Sequence, residues 1–215
     1  MKVAVRSLRE LGVDVVLAPE RWTAADASGD GIPLGDLVVE RRERADAKSA
    51  VVLDTTHAKD GVLDIAAALR AEPSARSQKK LALAGDLVVS RLRPYLRQIA
   101  YVHPHALDAT RGRPLALSTE FYVLAPRHAR EDIAFLLPFL LGERAQALLA
   151  SAQEGGHHPR VPRSSLLALR VPPAIVDARR RLSRRVNESL AAVYDAAERW
   201  QELKASVGPT ADTRG

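Results

Sequence analysis

The side chains best suited to chemistry in this chain are six histidines, one Ser-Thr-Glu triplet and a group of closely spaced arginines. His103-Pro104-His105 and His157-His158 are the two close histidine pairs. Neither has the i,i+4 spacing that sets two imidazoles on one helix face, and Pro104 works against chelation, so no metal site is expected. Ser118-Thr119-Glu120 has no accompanying base and orienting group, so it does not read as a hydrolase nucleophile. No Gly-rich loop ending in Lys-Ser/Thr suggests a nucleotide site. No Pro-Asp…Glu-x-Lys nuclease cluster is present either, since Glu202-Leu203-Lys204 falls on a helix as a surface pair. The chain has no cysteine, which removes disulfides, thiolate metal ligands and cysteine nucleophiles together. We therefore expect no catalytic residue, no metal and no cofactor.

The arginines are more informative. Arg91, Arg93 and Arg97 lie within seven residues, shortly after Lys79 and Lys80. Their alternatives are phosphate contacts, base contacts or ion pairs inside the fold. For Arg91 and Arg93 structure and DNA remain equally open, whereas Lys79, Lys80 and Arg97 fit phosphate contacts best. Residues 160–185 hold eight Arg, including Arg160 and Arg163, against the single acid Asp177. The whole chain carries +6 with a pI near 10. Clustered cations of this kind suggest a polyanion, nucleic acid first, although an ordinary solvated basic face would look the same. His157-His158-Pro159-Arg160 follows Gly155-Gly156 and reads either as a solvent loop or as one that touches DNA. Only nine residues are aromatic, and most sit inside apolar runs. A single-strand binder needs stacking platforms for successive bases, so a duplex is the better partner.

These side chains need a frame to position them. At 215 residues, 47% hydrophobic and 27% charged, the chain is long enough to bury a core without staples. No apolar run approaches the ~18 residues of a membrane span, and the Met1-Lys2-Val3 start lacks a signal-peptide pattern, so a cytoplasmic location is expected. Val3 to Glu20 reads as a polar-apolar stretch, and Ala24 to Gly31 as a loop. Ile32–Val39 reads as a turn running into a strand, and further strands are expected at Val51–Asp54, Gly85–Ser90, Gln98–Val102 and Thr119–Leu124. Pro94 should interrupt the sheet with a turn or a one-turn helix. Ile133 to Leu149 takes helical spacing, which Gly142 splits in two.

The clearest element lies between Pro172-Pro173 and Gly208-Pro209. There Leu182, Val186, Leu190, Val193, Ala197, Trp200, Leu203 and Val207 recur every three or four residues, seven steps in 25. This spacing falls between a heptad seam and a free helix, and a helix of about 33 residues would run ~50 Å. Such a helix should project and bury its stripe against another helix. Arg179, Arg180, Arg181, Arg184 and Arg185 crowd its first turns, where the macrodipole disfavours exposed cations by ~0.3–1 kcal/mol each. They imply either an anionic partner or arginine stems that cover a helix seam.

The order of segments resembles the target-recognition domain of type I restriction–modification specificity subunits. The resemblance rests on Gly85-Asp86-Leu87-Val88-Val89-Ser90-Arg91-Leu92-Arg93-Pro94-Tyr95-Leu96-Arg97 and on Leu117-Ser118-Thr119-Glu120-Phe121-Tyr122-Val123-Leu124. It continues through the Gly155–Val161 loop with its Pro-Arg pair, then Leu166-Leu167-Ala168-Leu169-Arg170-Val171-Pro172-Pro173 before the long helix. It is strongest from Leu83 to Val207. Where the family usually has Glu-Gln soon after the prolines, this chain reads Ala174-Ile175-Val176-Asp177-Ala178-Arg179, so no role for a Gln there carries over.

The resemblance implies a mixed α/β (α+β) target-recognition domain over residues 1–171. A long coiled-coil-type helix over 172–207 would serve dimerisation and subunit docking, with a flexible tail at 208–215. It implies a non-catalytic subunit that binds double-stranded DNA and presents it to an adenine methyltransferase subunit, with a restriction translocase as a further partner. The Asn/Asp-Pro-Pro-Tyr/Phe motif of such methyltransferases is absent here. Complete subunits carry two recognition domains and two helices, so a homodimer through the Leu182–Val207 stripe is expected to read an interrupted, symmetric site. The DNA-facing residues expected are Lys79, Lys80, Arg91, Arg93, Arg97, His157, His158, Arg160 and Arg163. The alternatives are a stand-alone basic DNA-binding or regulatory protein without a methyltransferase partner and, third, a small enzyme.

Overall fold

The computed structural model describes residues 30–71, 78–155 and 159–207. The Val3–Glu20 stretch, most of the Ala24–Gly31 loop, His157, His158 and the 208–215 tail lie outside these residues. Twelve strands are described: β1 (Ile32–Pro33), β2 (Val38–Glu40), β3 (Arg44–Ala45), β4 (Val51–Leu53), β5 (Ala58–Lys59), β6 (Val62–Leu63), β7 (Lys79–Ala82), β8 (Leu87–Ser90), β9 (Ile99–Tyr101), β10 (Leu115–Leu117), β11 (Phe121–Pro126) and β12 (Arg170–Val171).

The central sheet is antiparallel, in the order β2-β11-β8-β9. Its middle strands β11 and β8 are almost wholly apolar, and the reason is that both of their faces are covered. In β8, Leu87 and Val89 point to one core while Val88 points to the other; in β11, Tyr122 and Leu124 oppose Phe121 and Val123. On the first face lie helical residues, among them Leu136, Leu140, Leu149, Leu166 and Val176. On the second lies another sheet, β3-β7-β10-β4, through Ala82, Leu115, Leu117, Val51 and Leu53. The β10–β4 pair is parallel, and the other two pairs in that sheet are antiparallel. The result is three layers, helices on sheet on sheet, in a mixed α/β fold.

Local signals explain several boundaries. The helix expected across Ile133–Leu149 is two, Leu136–Leu141 and Glu143–Ser151, broken at extended Gly142. Pro94 opens a one-turn 3-10 helix, Pro94–Leu96, between β8 and β9. The Asp60-Gly61 turn runs through left-handed backbone at both residues, φ 46° and 96°. Gly61 there donates to the Ile99 carbonyl at 2.8 Å and accepts from Tyr101 N–H at 3.1 Å, so the turn stitches the β5–β6 hairpin to the edge strand β9.

The long helix differs from expectation at its start. The single helix read from Pro172 onward is a short one, Pro173–Asp177, followed by a break at Ala178 and the 28-residue helix Arg179–Ser206. Val176 is buried in the first core, which holds the short helix against the domain, and the long helix that starts after Ala178 continues along the same core. Arg179 donates to the Val176 carbonyl at 3.1 Å, a cation closing a helix C-terminus.

The expected interface stripe is also divided. Leu182, Val186 and Leu190 pack into the domain's own first core, Leu190 only 7% exposed, so these three do not offer themselves to a second helix. The physical reason is that the central sheet needs a cover, and the first half of the helix supplies it. Val193, Ala197, Trp200, Leu203 and Val207 lie beyond and are exposed. Among the described residues, no helix is long and apolar enough to cross a membrane.

Candidate nucleic-acid interface

The arginine-bearing segments are aligned by one buried ion pair. Asp86, fully buried ahead of β8, accepts from Arg41 Nε at 2.7 Å and Nη2 at 3.0 Å, and from the Leu83 N–H at 2.8 Å. This fork ties the chain just after β2 to the start of β8, although β11 lies between those strands. The bond to Asp86 raises the Arg41 pKa.

At the other end of β8 the segments that carry the family resemblance meet. Arg91 N–H donates to the Glu120 carbonyl at 2.9 Å, and the Arg91 carbonyl accepts from Val161 N–H at 2.8 Å. The Tyr122 hydroxyl, against β8, donates to the Val161 carbonyl at 2.8 Å. Glu120 is the hub. Arg160 grips its carboxylate through Nε at 3.1 Å and Nη2 at 2.9 Å, and Arg91 lies 3.1 Å from it. The Arg160 hydrogen bond, joined by the Arg91 charge, holds the Glu120 carboxyl below its ordinary range. A second carboxylate, Glu40, takes Lys80 at 3.1 Å and Arg163 at 2.7 Å. Lys80 also donates to the Phe121 carbonyl at 2.6 Å and sits 5.6 Å from the Tyr122 ring centre.

The nine sequence-derived candidates therefore separate. Lys80, Arg91, Arg160 and Arg163 converge on two carboxylates and fasten β2, β7, β8 and β11 to the segment after residue 159. Lys79 is buried in β7, only 7% exposed. His157 and His158 lie outside the described residues. Arg93 and Arg97 are exposed, with no side-chain partner among the described residues. Both have left-handed backbone, φ 44° and 50°, and they flank the Pro94–Leu96 turn. Pro94 is buried beneath that turn, while Tyr95 is 68% exposed and Leu96 39%. The loop thus displays two free guanidinia around an aromatic and an aliphatic tip. Non-glycine residues in the left-handed region cost free energy and persist where surrounding contacts hold them. Here the Arg97 carbonyl accepts from Asp60 N–H at 3.1 Å and Ile99 N–H at 2.8 Å.

Glu40, Glu120 and Asp86 were missed as organising residues. The available signal was the position of Glu120 inside Ser-Thr-Glu-Phe and of Asp86 inside Gly-Asp-Leu-Val-Val. Among solved structures, one alignment is to a chain from a study of complex assembly and conformational transition in the type I R-M system, at 21% identity and TM-score 0.49. Another is to the HsdS subunit from Thermoanaerobacter tengcongensis, at 24% identity and TM-score 0.47. The chain is similar to an HsdS subunit. Each alignment covers 82% of this chain and 45% of the other, so the aligned part spans less than half the length of the chains it matches. No family model matches it, and no curated protein does.

The histidine pair His103–His105 has a structural setting. The His103 ring stacks on Tyr194 of the long helix at 6.0 Å, and His105 Nδ1 lies 3.4 Å from Asp195. Tyr194 accepts from Leu63 N–H at 2.9 Å. Burial lowers the His103 pKa. No group of three or more His, Asp or Glu among the described residues is arranged to hold a metal ion.

Proposed function

We propose that this chain is a DNA target-recognition subunit of the type I restriction–modification kind, performing no chemistry itself. The observation that carries the reading is the convergence at Glu120 of the motif segments from which the resemblance was drawn, with the Arg93–Arg97 loop projecting from that junction. A loop with two unpaired arginines and an exposed tip on a rigid sheet is suited to a groove. Arginine forks fit guanine edges and phosphates alike. Lys80, Arg91, Arg160 and Arg163 then act by holding the loop's base rather than by direct readout.

In the finer reading, the domain up to residue 171 reads one half of a bipartite duplex site. Residues 172–207 join it to a second copy and to an adenine methyltransferase subunit, with a restriction translocase as a further partner. The exposed residues Val193, Ala197, Trp200, Leu203 and Val207 supply the surface for the second copy. Activity would belong to the partner subunits.

Selection of bound duplexes from a randomised pool tests this directly. The wild type should enrich an interrupted motif, and Arg93→Ala/Arg97→Ala should lose the enrichment while keeping its fold. Recovery of random sequence by the wild type would overturn the reading. Strong enrichment without co-purification of a methyltransferase would instead point to a stand-alone DNA-binding protein.

A further inference from the structure

A cleft of about 590 Å³ lies at the start of the long helix, away from the Arg93–Arg97 loop in the chain and lined by different residues. One wall is the segment Arg130–Ile133 with Phe135, Ile32 and Leu37; the other is Val176 with Arg179, Arg180, Ser183 and Arg184. This lining holds four arginines, Arg130 among them, and two carboxylates, Glu131 and Asp132. Of the two, Asp132 is already engaged, accepting from Ala134 N–H at 2.8 Å, Asn187 Nδ2 at 2.9 Å and the Tyr101 hydroxyl at 3.4 Å. On the cationic side, Arg179 closes the short helix, and Arg184 has only a 4.0 Å contact with exposed Glu188. Arg130 and Arg180 have no side-chain partner among the described residues. Neither do Arg181 and Arg185, the next residues along the helix. All four are exposed.

The walls are bolted at a fixed separation. Ser183, 3% exposed, donates to the Asp132 carbonyl at 3.1 Å and accepts from Phe135 N–H at 3.1 Å. The guanidinia therefore extend from a rigid base, although repulsion among them and the positive end of the helix dipole both oppose their placement. Arg180/Arg184 and Arg181/Arg185 form two adjacent i,i+4 rows. Each row spans about 6 Å of helix rise, close to two base-pair steps of ~3.4 Å on one DNA strand. Protein–protein interfaces concentrate apolar and aromatic groups and deplete charge at their centres, whereas DNA interfaces are strongly cationic. This surface has many arginines and few exposed apolar residues.

We propose that the cleft and the arginine rows beside it form a second, sequence-independent contact to the phosphodiester backbone of duplex DNA. The contact holds the duplex while the Arg93–Arg97 loop reads it, and it deepens the DNA-recognition reading on which it rests. No chemistry is implied, only charge-assisted hydrogen bonds from guanidinium forks to phosphate oxygens.

The test is fluorescence anisotropy of the full chain on a non-specific duplex across a salt series. It uses Arg180→Gln/Arg181→Gln/Arg184→Gln/Arg185→Gln, with the four Lys replacements as the charge-retaining control. The Gln variant should bind weakly, with a log K–log salt slope shallower by about 0.9 for each phosphate no longer neutralised, up to ~3.6 for four. The Lys variant should keep most of the slope, and both should melt like the wild type. Duplex selection with the Gln variant should return the same motif at lower yield. An unchanged slope in the Gln variant, as expected if the surface meets an acidic protein, would overturn the clamp and leave DNA recognition standing. Weakened binding through these arginines with no effect of Arg93→Ala/Arg97→Ala would uphold the clamp and remove the loop's role. Failure of the wild type to bind any duplex would overturn both.

Discussion

Removing one partner of the Arg41–Asp86 fork should cost far more than removing both. Asp86 is fully buried and the Arg41 side chain is 16% exposed, with contacts of 2.7 and 3.0 Å. In Arg41→Met the carboxylate would stay in the core with only the Leu83 N–H for company, and breaking a buried pair in this way typically costs ~3–5 kcal/mol. For a domain of this size each kcal/mol lowers Tm by ~2–4 °C, giving roughly 6–20 °C. In Arg41→Met/Asp86→Leu no charge is stranded, and Leu83, itself 43% exposed, can pass its N–H to water. The double variant should then lie within ~1–2 kcal/mol of the wild type, because apolar replacement of a buried pair is often neutral. A double-mutant cycle by urea denaturation would show the difference as a coupling energy of at least ~2 kcal/mol. Additive costs, or a single variant less than ~1 kcal/mol below the wild type, would refute the claim that this pair locks β8 in place.

Four further outcomes follow from the same geometry. Glu120→Gln should lower the urea midpoint at neutral pH. Because the folded carboxyl titrates below its unfolded value, this deficit should shrink as pH falls through the folded pKa, and a deficit independent of pH would contradict the hub role. His103 binds its proton less readily when folded, so wild-type stability should fall as pH drops below about 6.5, a dependence that His103→Gln should reduce in a melting series. Leu190→Ala should cost ~2–5 kcal/mol in chemical denaturation as a core truncation, whereas Leu203→Asp should melt normally yet run as a monomer by light scattering if the exposed stripe pairs two copies.

Much of the frame was legible because it follows short-range rules. Pro94 and Gly142 punctuate the chain where backbone geometry requires it, and the apolar runs around Val88 and Val123 mark strands buried on both faces. The long helix was legible in its period but not in its allegiance. A stripe from Leu182 to Val207 looks the same whether it faces its own sheet or another chain, and only the tertiary arrangement assigns Leu190 to one and Leu203 to the other. The site was legible in residue type and not in role. Arg91 and Arg93 are two positions apart in one motif, yet Arg91 is held by Glu120, 29 residues downstream, while Arg93 has no side-chain partner among the described residues. Partnerships of that span depend on strand order and register, which local pattern does not encode.

The long helix is one rigid rod with two different tenancies. Its first part is held through Ser183, Leu190, Tyr194 and the Asp195–His105 contact, and its last ~11 residues run a further ~16 Å and are exposed. A rod held in this way acts as a lever, and whatever grips the far end applies torque at the near end. That torque would be felt first at Tyr194, where the helix meets the Leu63 N–H, and would pass along the rod to the Ser183–Asp132 contact, where Tyr101 from the edge of the central sheet also meets Asp132. A partner bound at the tip of the helix is therefore mechanically connected to the sheet edge and to the arginine cleft, without touching either.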